Sequence, residues 1–140
     1  MLDRKTQPSP KIAEKMEIIR ASAVKLRNGS DIYLINAGEQ EVVRLKIILP
    51  TAASDHKSMQ IAYAAHSLTD SGTGKMNAMQ IAEAFDGLGS FYQSEAGPDF
   101  RSFTVYALKS AFAQTVELLR LVLCEARFPD EDRKSTRLNS

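Results

Sequence analysis

Ile61-Ala-Tyr-Ala-Ala-His-Ser-Leu-Thr-Asp-Ser-Gly-Thr73 lies between an alternating apolar segment and a second helical segment, and its reading decides the fold. Ile61, Ala65 and Leu68 recur at i, i+4 and i+7, which is one stripe of an α-helix. Small Ala62, Ala64 and Ala65 allow that helix to pack closely under a sheet or a second helix. Ser54 or Asp55 is placed to cap its first turn, and Gly72 with Gly74 to close it, so a helix is predicted over about Lys57 to Thr69. The stretch also holds His66. The only other histidine, His56, lies ten residues earlier, which is not the i, i+4 spacing of a helical metal pair. The expectation for His66 is a partly buried helix residue hydrogen-bonded to a neighbour.

Upstream, Asn28-Gly29 separates the run Ala23–Leu26 from Asp31–Asn36, the strongest short-range signal for a β-hairpin. From Glu41 to Leu49 the chain alternates, with Val43, Leu45, Ile47 and Leu49 on one face and Arg44 and Lys46 on the other. This pattern predicts a strand half-buried against helices, ended by Pro50. Downstream, Asn77 with Gln80 forms a capping box for a second helix reaching about Leu88, and Met76 with Ile81 a hydrophobic staple. Ile81, Ala84, Phe85 and Leu88 make its inner face, and Gly87 and Gly89 its left-handed stop. Two strands follow, Ser90–Ser94 and Phe100–Leu108. Both faces of the second are mixed, which predicts a sheet edge or a cavity wall. A third helix, about Ala111–Ala126, carries Phe112, Val116, Leu119, Val122 and Leu123, widened by Leu118 and Leu121; Phe128-Pro129 ends it. Part of this wide apolar stripe is expected to need partners further downstream and to be wet without them.

The composition is that of one ordinary globular domain: 140 residues, 44% hydrophobic and 25% charged. No apolar run approaches the roughly 18 residues of a membrane helix, so no membrane role is expected. The start lacks the apolar core of a signal peptide, which points to the cytoplasm and leaves the periplasm open. The single Cys124 excludes an internal disulfide and, lying in an apolar run, is expected to be a buried inert thiol. Residues 132–140, Asp-Arg-Lys-Ser-Thr-Arg-Leu-Asn-Ser, read as the in-frame translation of a sequencing-library adapter at all nine positions. They are set aside from the fold. That tail carries a net +2 of the chain's +1, so the remainder is about −1. With the tail excluded there is no basic stripe and no expectation of a nucleic-acid partner. The organisation expected is a leader or linker over 1–20, a partial domain over 21–131, and the tail over 132–140.

Several scattered segments, in order, carry a resemblance to a known family. They are Leu26-x-Asn28-Gly29, Gly72-Thr73-Gly-Lys75, Ile81-Ala-Glu-Ala-Phe-Asp-x-Leu-Gly89, Phe103-Thr-Val-Tyr106, Leu118-Leu-x-Leu-Val-Leu123 and Phe128-Pro129-Asp-Glu131. From about Ala21 to Glu131 the chain resembles the pitrilysin/insulinase (M16) zinc peptidases, the group that includes mitochondrial processing peptidase. The resemblance implies an α+β fold: an antiparallel or mixed sheet with helices packed on one face, here the incomplete N-terminal part of a LuxS/M16 peptidase-like domain. Catalytic members carry H-x-x-E-H on the first helix, two zinc ligands and a general base. Anchored on Gly72-Thr73, those positions fall on Tyr63, His66 and Ser67, all replaced. The family's third ligand, a downstream Glu, would lie past the tail junction. The resemblance therefore implies no bound zinc, no catalytic residue and no enzymatic activity of the chain's own.

The function expected is a non-catalytic subunit or domain that pairs with a zinc-bearing M16 homologue and supplies part of a peptide-degrading or processing chamber. Extended substrate could add to a sheet edge, with Ser90–Ser94 and Phe100–Leu108 the candidate strands. The alternative is a structural or assembly subunit, like a respiratory-complex core protein, with no proteolytic role.

Overall fold

The computed structural model describes residues 18–51 and 55–127. The leader expected over 1–20 lies mostly outside that range, and Phe128-Pro129 and the tail wholly outside it. The described chain falls into two compact units that part between Gln40 and Glu41.

The first unit holds a hairpin of β1 (Ser22–Lys25) and β2 (Asp31–Leu34), antiparallel, with Val24 opposite Ile32. Its turn is one residue longer than the two-residue loop that two positive-φ residues would make. Only Gly29 is left-handed, at φ 86°, and Asn28 stays on the ordinary side. The Gly29 amide donates to the Leu26 carbonyl and the Leu26 amide to that of Ser30, a type I turn followed by a glycine bulge.

The second unit is a three-stranded antiparallel sheet with helices on one face. Its strands are β3 (Val42–Pro50), β4 (Phe91–Ala96) and β5 (Phe100–Leu108), in the order β3-β5-β4. The sequence predicted an edge or wall for β5, and the structure puts it at the centre. It pairs with β3 from Val42↔Leu108 to Pro50↔Phe100 and with β4 from Phe91↔Tyr106 to Ala96↔Arg101. Its mixed faces have a different cause from the one expected. Phe103, Val105 and Ala107 face the helices, while Ser102 and Thr104 are buried on the other face by side chains of the flanking strands. A central strand need not look apolar on a face where its neighbours cover it with polar groups.

The helices are α1 (His56–Ser67), α2 (Ala78–Gly87) and α3 (Phe112–Cys124). Ile81 and Phe85 of α2, Phe103 and Val105 of β5, and Leu118, Leu119 and Val122 of α3 form the core. Leu45, Ile47 and Leu49 of β3 pack against it, as the alternation of that strand predicts. The capping box forms, with the Asn77 side chain accepting from the Gln80 amide at 2.9 Å and Gln80 answering the Asn77 amide at 3.0 Å. Gly89 supplies the left-handed stop at φ 60°, and Gly87 remains helical. The start of α3 is tied to β4 through buried hydroxyls: Ser90 and Thr115 lie 2.6 Å apart, and Thr115 also donates to the Ala111 carbonyl.

Two expectations about the helices fail. The large apolar residues of α3 are all buried or half-buried, so its stripe is already covered without downstream partners. The exposed apolar side chains of this unit instead include Val42, Ile48, Phe91, Phe100 and Leu108, all on the sheet face away from the helices. Cys124 is exposed, not buried, because two residues past Val122 it lies about 200° round the helix from the inward row of Leu118, Leu119 and Val122.

Leu119 is 1% exposed at the centre of the core. Leu119→Ala is expected to cost about 2–5 kcal/mol. Ile48→Ala, on the open face, should stay within about 0.5 kcal/mol. Urea unfolding with an unchanged m-value is the measurement; equal losses would contradict the assignment of the two faces.

Candidate functional site

Helix α1 opens with a capping box of its own. Asp55 accepts from the Ser58 amide at 2.7 Å, and the Ser58 hydroxyl accepts from the Asp55 amide at 3.2 Å. The predicted inward stripe Ile61–Ala65–Leu68 does not hold: Ile61 is 61% exposed. The helix is rolled so that Ala62, Ala65, His66 and Thr69 face inward. Its alanines are too small to fix the roll by volume, and the inward row is set by what fits over the aromatic ring of Phe103.

His66 fits there. Its ring lies 4.9 Å from that of Phe103 at 38°, and the residue is 5% exposed. The expected hydrogen bond to a neighbour is missing; neither ring nitrogen has a partner among the described residues. Burial holds its pKa below the ordinary 6.5, with Arg101 pushing the same way and Asp70 weakly opposing. An imidazole so placed is neutral and packs as an aromatic plate.

The other two positions of the degenerate motif do not join it. Ser67 is exposed and donates to the Tyr63 carbonyl at 2.9 Å, a bond within its own helix. Tyr63 is 38% exposed. The trio offers one enclosed imidazole, one phenol and one alcohol already committed to the backbone. That donor set does not fit Zn²⁺, which takes imidazole, thiolate or carboxylate.

The Gly72-Thr73 pair has a structural task that sequence reading reduced to ending a helix. Helix α1 ends at Ser67, before either Gly72 or Gly74. Gly72 bridges to Asn77, and the Thr73 amide donates to the Met76 carbonyl at 2.7 Å. The Thr73 hydroxyl accepts from the amides of Lys75 and Met76, and the Arg127 amide donates to the Gly72 carbonyl at 2.9 Å. A Cβ at Gly72 would sit 3.3 Å from the Met76 oxygen, a tight contact that glycine avoids. The pair thus ties α1 to the start of α2 and the end of α3.

Of the two strands proposed to receive substrate, only one can. Strand β5 is paired on both sides along its length. Strand β4 pairs with β5 alone, so its outer edge is open among the described residues. Beside β4 is a cavity of about 330 Å³, walled by α2 and the turn after α1 and including Ile81, Phe85, Phe91, Tyr92, Asp70 and Asp86. Sequence reading missed this cavity, because its walls come from three separated segments. Tyr92 stacks on Phe85 at 5.3 Å, and its phenol oxygen is buried without a partner. Burial first, then Asp70, pushes its pKa up to about 12, while the nearby Ser94 hydroxyl works weakly the other way.

The open face of the sheet carries an ordered polar strip. Glu95 on β4 takes Lys46 of β3 at 3.2 Å and Ser102 of β5 at 3.1 Å. These bonds, Lys46 first, hold its carboxyl below the usual range. Arg44 lies over the Tyr106 ring at 5.6 Å, and Phe91 packs at its edge at 6.2 Å. No group of three or more metal-binding side chains occurs among the described residues, and no helix there is long and apolar enough to cross a membrane.

No protein-family model matches the chain, and no curated protein does. Solved structures do. A peptidase M16 inactive domain from Pseudomonas fluorescens matches with a TM-score of 0.79 at 17% identity, over 86% of this chain and 30% of that one. A protease from Helicobacter pylori matches at 0.73 and 12%, over 87% and 30%. The periplasmic protease PqqL from Escherichia coli matches at 0.73 and 15%, over 99% and 16%. The fold is that of an M16 peptidase domain, and the chain spans about a third or less of these proteins.

His66 gives a pH test. Its folded pKa is lowered, so below about 6.5 the unfolded chain binds a proton that the folded chain resists. Its contribution is full above that pH and is lost as the pH falls through it. His66→Leu should flatten the stability profile between neutral and mildly acid pH, read by denaturant unfolding; an unchanged slope would contradict a buried neutral imidazole.

Proposed function

We propose that this chain is the fold-bearing part of a non-catalytic M16-type subunit or domain, which pairs with a zinc-bearing homologue and presents extended peptide to it. The observation that carries the reading is the pairing of an open β4 edge with a first helix that lacks a zinc donor set. The edge offers a row of unpaired backbone donors and acceptors, and an extended peptide can satisfy them by adding a strand. The helix offers one enclosed imidazole where catalysis would need two exposed ligands and a base. Positioning is then the task left to the chain, and cleavage belongs to the partner. The likeness to a domain described as inactive supports this division of labour.

An assembly subunit without a proteolytic role would share the degenerate helix but would have no use for the open edge. The two readings part at the partner. Full-length protein mixed with an H-x-x-E-H homologue from the same genome is expected to form a stoichiometric complex, with peptidase activity that appears on mixing and is lost to a chelator. Stoichiometric zinc on the purified full-length protein alone, or cleavage without the homologue, would overturn the proposal.

The edge is testable by backbone chemistry. Adjacent residues Gln93 and Ser94 turn their N–H groups to opposite sides of β4, so one donates to β5 and the other faces outward. Of Gln93→Pro and Ser94→Pro, the variant that keeps its thermal stability is expected to lose at least about tenfold in peptide affinity, a loss of roughly 1.4 kcal/mol. Unchanged affinity in the stable variant would rule out strand addition at β4.

A further inference from the structure

The cavity beside β4 combines an apolar floor with acidic groups at its walls. Ile81 and Phe85 of α2 are buried core residues that also line it, and the start of β4 at Phe91 and Tyr92 forms its edge. Asp70 comes from the turn after α1, and Asp86 from the last turn of α2. Among the described residues neither carboxylate has an ion-pair partner. Tyr92 lines the same cavity with a buried phenol oxygen that has no hydrogen-bond partner.

We propose that this cavity is a specificity pocket for a lysine or arginine side chain of the extended peptide that docks on β4. The proposal rests on the reading of β4 as a docking edge. A basic side chain has the two halves the pocket asks for: an aliphatic stem that covers Ile81 and Phe85, and a cationic head that reaches carboxylates while keeping contact with water. A purely apolar side chain would leave Asp70 and Asp86 facing a desolvated neighbour without charge compensation. An acidic one would be repelled by both. At about 330 Å³ the cavity has the size of a small ligand site and is ample for one long side chain. Arginine fits best, because its planar fork spreads five donors over the two carboxylates. Because side chains of an added strand alternate between its two faces, alternate peptide residues at most can point toward the pocket.

The test uses the full-length protein and fluorescently labelled extended peptides that differ at one central position, Arg, Gln or Glu. Binding is followed by anisotropy. The Arg peptide is expected to bind about five- to tenfold tighter than the Gln peptide, the scale of one or two partly exposed ion pairs. The Glu peptide should bind weaker than either. In Asp70→Asn/Asp86→Asn the Arg preference should vanish while Gln-peptide affinity stays. Asp86→Lys, a change on the exposed face of α2, should invert the order to favour Glu. High salt should compress the differences. If all three peptides bind alike and the aspartate variants change nothing, the pocket assignment falls while strand addition at β4 survives. If the Arg preference persists but backbone N-methylation of the peptide has no effect, the pocket stands and the edge reading falls. Absence of binding by every peptide overturns both.

Discussion

Strand β5 is held by a neighbour on each side and by helices on one face, and the rest of the second unit is arranged around it. Its ladders to β3 and β4 set the register that brings Phe103 and Val105 under α2 and α3. Val105 is fully buried, and Phe103 carries the ring on which His66 of α1 lies. Burial of such side chains contributes on the order of 1.5–3 kcal/mol each, the largest stabilising share of a small core. The same central position leaves β4, among the described residues, as an outer strand with one open edge. The cavity forms where α2 and the turn after α1 flank that edge. Packing at the centre thus places the surface on which function is proposed.

Within this frame the first helix packs through a buried imidazole. In a catalytic relative of this fold its inward side chains would have to reach a metal and water. Here the inward side chain is a neutral imidazole stacked on an aromatic ring, with two unsatisfied nitrogens. Leaving polar atoms unpaired in the interior costs about 1–3 kcal/mol per group. The ring-on-ring contact and the close approach allowed by Ala62 and Ala65 offset part of that cost. The turn that follows this helix holds the Gly72-Thr73 corner, which meets the start of α2 and the end of α3.

Local signals were read correctly where chemistry is local. The hairpin at Asn28-Gly29, a cap at Asp55, the Asn77–Gln80 capping box, the left-handed Gly89 and the alternation of β3 depend on residues a few positions apart. The helices and strands themselves fell within a few residues of their observed ends. Three features depend on contacts between distant segments, and these were missed. Ser102 and Thr104 look like surface residues of an edge strand, yet Glu95 and the flanking strands cover them. The roll of α1 is decided by Phe103, a strand away, and not by its own weak stripe. The cavity draws its walls from the turn after α1, from α2 and from β4, and no single segment announces it. The open apolar surface expected on α3 appears instead on the far face of the sheet. At the candidate site, the placement of Tyr63, His66 and Ser67 on the first helix was legible, and the burial of His66 without a partner was not.

The measurement closest to the central claim is amide hydrogen exchange on the full-length protein, with and without a saturating extended peptide. Strand addition at the open edge predicts slowed exchange at alternate amides of Phe91–Ala96, those turned away from β5, while the amides of α1 keep their rates. Protection that spreads over α1 with zinc bound, or that leaves β4 unchanged, would contradict the account.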